Sequence, residues 1–87
     1  MKKSIQVVEV ENEGFLALMD EVITIFSLNW IYTGKLIGVN DTCVLLDNPS
    51  IVYETGSFTE KNWKDAQKLP NQLYVQMACI ESFGIVK

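Results

Sequence analysis

The sequence predicts an all-β domain in which short strands form a small barrel. Three strand candidates follow one another with very short connections between Val22 and Val52, a stretch rich in β-branched residues. Gly34 and Gly38 lie within the middle candidate. Glycine normally weakens a strand interior, and its usual meaning there is a sharp bend or a close backbone approach, as at a barrel corner. Short strands at close spacing are typical of small barrels.

Composition and charge fit one globular domain over residues 1–87, because 48% of the residues are hydrophobic and 21% are charged. The net charge of −4 gives no broad footprint for nucleic acid, although it allows a local site. No apolar run is long enough to cross a bilayer, and the start, MKKSIQVVEVENEG, has no apolar core of a signal peptide. We therefore expect a cytoplasmic protein with no membrane partner.

The residues that usually carry catalysis or hold metals are scarce. The chain has no histidine, which removes the commonest general base and metal ligand. Cys43 and Cys79 lie in apolar runs, and we expect both to be reduced core residues. Asp41 and Asp47 lie in turns, where aspartate is favoured for local hydrogen bonding. We predict that the protein is not an enzyme and uses no cofactor and no metal.

The N-terminal extension, residues 1–21, contains two apolar segments. Ser4–Val10 reads as a strand, and Glu11–Gly14 as a turn. Phe15–Met19 is either a strand, which we favour, or one or two turns of helix, because leucine, alanine and methionine favour helix.

The middle of the chain is predicted to be extended. Strands are expected over Val22–Phe26, Trp30–Val39 and Thr42–Leu46. Asp47–Ser50 interrupts the third strand at Pro49, which cannot donate to a ladder, and Ile51–Tyr53 resumes it.

Residues 54–71 read as a polar insertion in which Thr59 caps a short helix, EKNWKDAQKL, that ends before Pro70. Trp63 is expected to dock this insertion on the domain. Gln72–Phe83 is the closing β-segment, with apolar residues on both faces.

The stretch 22–53 resembles the first Sm motif of the Sm/LSm family, and the chain looks like a divergent member of prokaryotic or phage type. The residues that carry the resemblance are Gly34, Leu36, Gly38, Val39, Leu46 and Asp47. Residues 72–87 resemble a divergent second Sm motif, with Gln76-Met77 where the family has Arg-Gly. The resemblance implies a strongly bent, five-stranded open barrel, similar to SH3-like barrels. Here a long loop or short helix is inserted between strands three and four.

The family holds RNA bases between the loop after its second strand and the loop after its fourth. Carried over to this chain, those positions are Asn40, Asp41, Thr42, Cys43, Gln76 and Met77. Cys43 stands where the family has a base-contacting Asn, the preceding loop is about one residue shorter, and Gln76 offers no charge for phosphate.

An open barrel leaves strand edges that need partners, and a head-to-tail pairing that closes gives a ring. The resemblance implies a homomeric ring, which we expect to contain about five to seven subunits. The expected subunit interface comprises Leu73, Tyr74, Val75, Ile80 and Phe83.

Two functions remain open at this point. In one, the ring binds single-stranded RNA and acts in RNA processing or regulation. In the other, it is a non-catalytic scaffold that binds protein partners and has lost the RNA pocket.

Overall fold

The computed structural model describes residues 13–87, so the strand predicted over Ser4–Val10 lies outside the described residues. One helical turn is followed by six strands, with a 3-10 turn before the last. The elements are α1 (Gly14–Ala17), β1 (Val22–Ser27), β2 (Ile31–Val39), β3 (Cys43–Glu54), β4 (Asp65–Lys68), β5 (Leu73–Gln76), the 3-10 turn (Met77–Cys79) and β6 (Ile80–Gly84). All strand pairings are antiparallel. The prediction of an all-β fold is confirmed.

The long strand β3 organises the sheet. The strand order is β4-β3-β2-β1-β6, and β5 also pairs with β3. Along one edge β3 pairs with β2. Along the other edge its first half pairs with β5 and its second half pairs with β4. Three strands therefore take their positions from β3.

The insertion differs from its prediction. Residues 55–64 form an irregular loop, and the rest forms β4, so the short helix capped by Thr59 is wrong. The helix-favouring residues of DAQK are extended because β4 pairs with the second half of β3. This tertiary pairing overrides the local preference for helix.

The closing β-segment, predicted as one strand over Gln72–Phe83, is two strands separated by the 3-10 turn. By contrast, β4 and β5 nearly form a single strand along β3. Lys68 pairs with Ser50 and Leu73 pairs with Leu46, so four steps along β3 are matched by five along the facing chain. The one-residue excess lies in the short link 69–72.

The predicted interruption of the third strand is a bulge. β3 is continuous through Asp47–Ser50, where Asn48 has a φ of +48°. The register with β2 shifts at this point, and Pro49 is fully buried there. A proline is tolerated in a strand at such an irregularity because no ladder hydrogen bond is required of it.

Gly34 faces this bulge across the β2–β3 pairing. A Cβ atom at Gly34 would lie 3.0 Å from the carbonyl oxygen of Asp47. The glycine in the middle of β2 therefore serves a close backbone approach, as its position in the sequence predicts.

One apolar cluster, drawn from four strands, forms the core. Its buried members are Ile23, Ile25, Leu36, Val44, Leu46 and Val75. Phe15, Leu18 and Met19 pack against this cluster from the N-terminal side. The strand that we favoured over Phe15–Met19 is wrong. The chain forms the helical turn α1 there, and these side chains pack against the core. Among residues 13–87, no helix is long and apolar enough to cross a membrane.

Candidate functional site

A concave surface lies between the β2–β3 turn and the turn after β5. We call it the turn cleft, and its volume is about 560 Å³. It is lined by Asp41, Thr42, Cys43, Tyr74, Gln76, Met77 and Ala78. Five of the six residues expected to contact RNA therefore lie together, although more than thirty positions separate the two groups in the chain.

The β3–β5 pairing brings the two turns together. Gln76 is the register partner of Cys43, and the Met77 N–H donates a 2.8 Å hydrogen bond to the Thr42 carbonyl oxygen. Because residues alternate between facing β3 and facing away from it, the backbone groups of Tyr74 and Gln76 point away from β3. The cleft is therefore built on a strand edge.

Asn40, the sixth expected residue, does not line the cleft but holds the β2–β3 turn that carries Thr42 and Cys43. Its Oδ1 accepts hydrogen bonds from the backbone N–H groups of Thr42 and Cys43, at 2.8 and 3.0 Å. It also accepts from the Thr42 hydroxyl at 3.0 Å. An Asn side chain that bonds to the backbone two residues on is a common way to form a tight turn. The Asn40 amide oxygen is thus engaged in holding the turn.

The chemistry of the lining is neutral to acidic. Asp41 contributes a carboxylate, and none of the lining residues is Lys or Arg. Gln76 is exposed, and its amide is able to donate and to accept. This surface is therefore suited to hydrogen bonding and stacking rather than to neutralising phosphate.

Tyr74 is a cleft residue that the sequence did not assign there. Its side chain is 68% exposed although it occupies a strand next to the core. Tyr74 and Gln76 lie two positions apart and therefore share one face of β5. That spacing is the signal that links Tyr74 to the expected site, where it provides an aromatic surface beside the amide of Gln76.

The residues expected at a subunit interface differ in how exposed they are in the single chain. Val75 is buried in the core of the chain itself. Leu73 and Ile80 are half-buried and pack against the same core. Phe83 stacks on Phe15, with ring centroids 3.6 Å apart. Tyr74 is the most exposed residue of the set.

Both cysteines carry free thiols. Both were expected in the core, but neither is a core residue. Cys43 and Cys79 are half-buried. Cys43 lies at the turn cleft, and its thiol is 3.6 Å from Asn40 Oδ1. Within residues 13–87, no three His, Cys, Asp or Glu side chains group in a way that could hold a metal ion.

An aromatic and apolar patch flanks the β1–β2 turn. It consists of Leu28, Trp30 and Tyr53, which are 71%, 48% and 47% exposed. The rings of Trp30 and Tyr53 meet edge to face with centroids 5.9 Å apart. Trp30 lies just outside β2, whereas Tyr32 is half-buried against the core.

No protein-family model and no curated protein matches this sequence.

Proposed function

We propose that this chain is a subunit of an Sm-like ring that binds single-stranded RNA in the turn cleft. One observation carries the proposal: the cleft joins the β2–β3 turn to the turn after β5. When β4 and β5 are counted as one bulged strand, these are the two loops between which the Sm/LSm family holds bases. The close approach at Gly34 supports the strongly bent barrel of that family.

Ring formation is supported by unpaired strand edges. Among residues 13–87, the outer edges of β4, β5 and β6 have no strand partner. Such edges are templates for pairing with another chain. Pairing β5 of one subunit with β6 of the next uses two of these edges, and it closes into a ring if the rotation allows. We expect about five to seven subunits, and a monomer in light scattering at micromolar concentration would contradict the proposal.

The cleft favours recognition of bases over recognition of phosphates. An aromatic face such as that of Tyr74 typically contributes about 1–3 kcal/mol per stacked base. The Gln76 amide is able to bond to a base edge, as single-stranded RNA recognition requires. Since the lining holds the Asp41 carboxylate and no cation, few counterions are released on binding. We expect the affinity to depend only weakly on salt.

Fluorescence anisotropy with short U-rich and A-rich RNAs, measured over a salt series, tests this proposal. We expect saturable binding that Tyr74→Ala weakens by about tenfold, as the loss of one stacked base predicts. Gln76→Ala is expected to weaken binding as well. The matched controls are Tyr53→Ala and Gln72→Ala, because both side chains lie outside the cleft. Absence of binding at low salt, or equal losses in the control variants, would contradict RNA binding in the cleft.

A second candidate is a non-catalytic scaffold ring that binds proteins. The patch of Leu28, Trp30 and Tyr53 favours it, since aromatic residues are enriched in protein interfaces. The carboxylate in the cleft also favours it. A ring that binds none of the RNAs at low salt would support the scaffold over the RNA-binding function. Both candidates describe a cytoplasmic protein without catalytic activity.

A further inference from the structure

The loop between β3 and β4, residues 55–64, encloses the ammonium group of Lys87. Lys87 Nζ donates hydrogen bonds to the carbonyl oxygens of Thr55 and Asn62, at 2.6 and 2.9 Å. The same atom lies 4.6 Å from the ring centroid of Trp63 and 5.8 Å from that of Phe58. Four groups of one loop therefore surround a single cation.

These contacts match what a primary ammonium requires. An alkylammonium has three N–H donors and no acceptor, and two of the donors are directed at backbone carbonyls. Cations within roughly 6 Å of an aromatic centroid are attracted by the ring face, and tryptophan is the most favourable ring. Lys87, Trp63 and Thr55 are all half-buried, although none of them belongs to a strand. The loop is thus shaped around the cation.

One lysine of the loop itself is paired outside this arrangement. Lys64 belongs to the same loop, but its ammonium pairs with the Glu54 carboxylate at 3.4 Å. Both of those side chains are largely exposed, at 68% and 61%. The loop therefore contacts two ammonium groups in different ways: that of Lys87 lies between its carbonyls and rings, and that of Lys64 lies at its surface.

We propose that the β3–β4 loop is a binding site for a primary alkylammonium group and that Lys87 is its built-in ligand. The contact latches the segment after β6 onto the loop before β4. These two strands stand at opposite ends of the order β4-β3-β2-β1-β6, so the latch connects the two ends of the sheet through side chains. The site depends neither on ring formation nor on RNA binding.

The unaltered chain provides the first test. Nuclei above an aromatic face resonate upfield, so the Hε protons of Lys87 should lie upfield of those of Lys68, an exposed lysine on β4. Trp63→Leu should return the Lys87 signals to the position of the Lys68 signals. Lys87 signals that coincide with those of Lys68 in the unaltered chain would overturn the proposal.

Chemical rescue provides the second test. Lys87→Ala removes the part of the side chain that propylammonium replaces, and amide chemical shifts of residues 55–64 report occupancy. We expect saturable shifts with propylammonium in Lys87→Ala. The response should be about tenfold weaker in the unaltered chain, where the tethered lysine acts at a millimolar effective concentration. Lys68→Ala, the matched control, should behave like the unaltered chain.

Two further probes separate the contributions to binding. 1-Propanol has a similar shape but no charge, and tetramethylammonium has the charge but no N–H donor for the carbonyls of Thr55 and Asn62. Both should shift the loop amides of Lys87→Ala less than propylammonium does. No saturable shift with propylammonium, or an equal shift with 1-propanol, would overturn the proposal.

Discussion

Gly34 illustrates how closely β2 and β3 approach at a single residue. Besides the Asp47 carbonyl oxygen, an added Cβ would meet Leu46 Cβ and Pro49 Cα, each at 3.2 Å. Two of these three neighbours are backbone atoms, which cannot turn aside as a flexible side chain would. The identity of residue 34 is therefore dictated by packing.

We expect Gly34→Ala to lower the free energy of unfolding by about 1–3 kcal/mol, because the backbone of β3 must shift to admit a methyl group. Urea denaturation followed by circular dichroism measures the change. The matched control is Gly84→Ala on β6, where an added Cβ meets no atom within 4 Å. The free energy of unfolding of this variant should change by less than about 1 kcal/mol. Equal losses at the two positions would contradict the close approach.

At the scale of one element, β5 has two different edges. One edge pairs with β3, and the opposite edge is the one that the proposed ring would use. Val75 faces the core and is the register partner of Val44, and its backbone N–H points toward β3. The backbone N–H of Gln76 points the opposite way. The Gln76 φ of −69° is close to the value that a proline ring imposes. Neighbouring positions of one strand therefore allow the two edges to be disrupted separately.

We expect Gln76→Pro to convert the proposed ring into folded monomers, because it removes an outward N–H without breaking the β3–β5 ladder. Light scattering measures the mass, and circular dichroism reports the fold. Val75→Pro should instead unfold the domain or destabilise it by about 3 kcal/mol or more, because it removes a ladder donor. Gln76→Ala keeps the backbone donor and should remain a ring. A Gln76→Pro ring of unchanged mass would show that β5 is not an assembly edge.

At the scale of the whole molecule, stability should be distributed unevenly about β3. The strands β2 and β3 have partners on both sides, whereas β4 is a short edge strand with all four residues exposed. Elements with few buried contacts open at lower free energy than the core. Native-state hydrogen exchange should find the slowest amides at Leu36, Val44 and Leu46, and the fastest strand amides in β4. Equal protection in β4 and in the core would contradict this distribution.

The sequence predicts the parts of this fold that depend on local pattern. The alternation and β-branched residues of β1 and β2, and the glycine at the close approach, follow from residues adjacent in the chain. The DAQK segment does not, because its local preference is helical and only pairing with β3 makes it extended. Asn48 and Pro49 read as a break, because a bulge that accommodates proline inside a strand has no separate local signal.

The candidate site divides in the same way. The turn at Asn40 can be predicted from composition, whereas the approach of Gln76 to Cys43 depends on the β3–β5 register. Local pattern along the chain does not indicate that approach. Nothing in the sequence indicated that Lys87 meets Trp63, because they are far apart in the chain and neither lies in a periodic segment.

The one-residue excess in the link 69–72 determines which face of β5 lines the cleft. β5 takes its phase from this link, because β4 is already aligned on β3. Changing the link by a single residue would slide β5 by one position and exchange its two faces. Tyr74 and Gln76 would then turn inward, and Val75 would turn out into the cleft. A change in the length of this four-residue link would thus change the surface chemistry of the site without any substitution among the residues of the cleft.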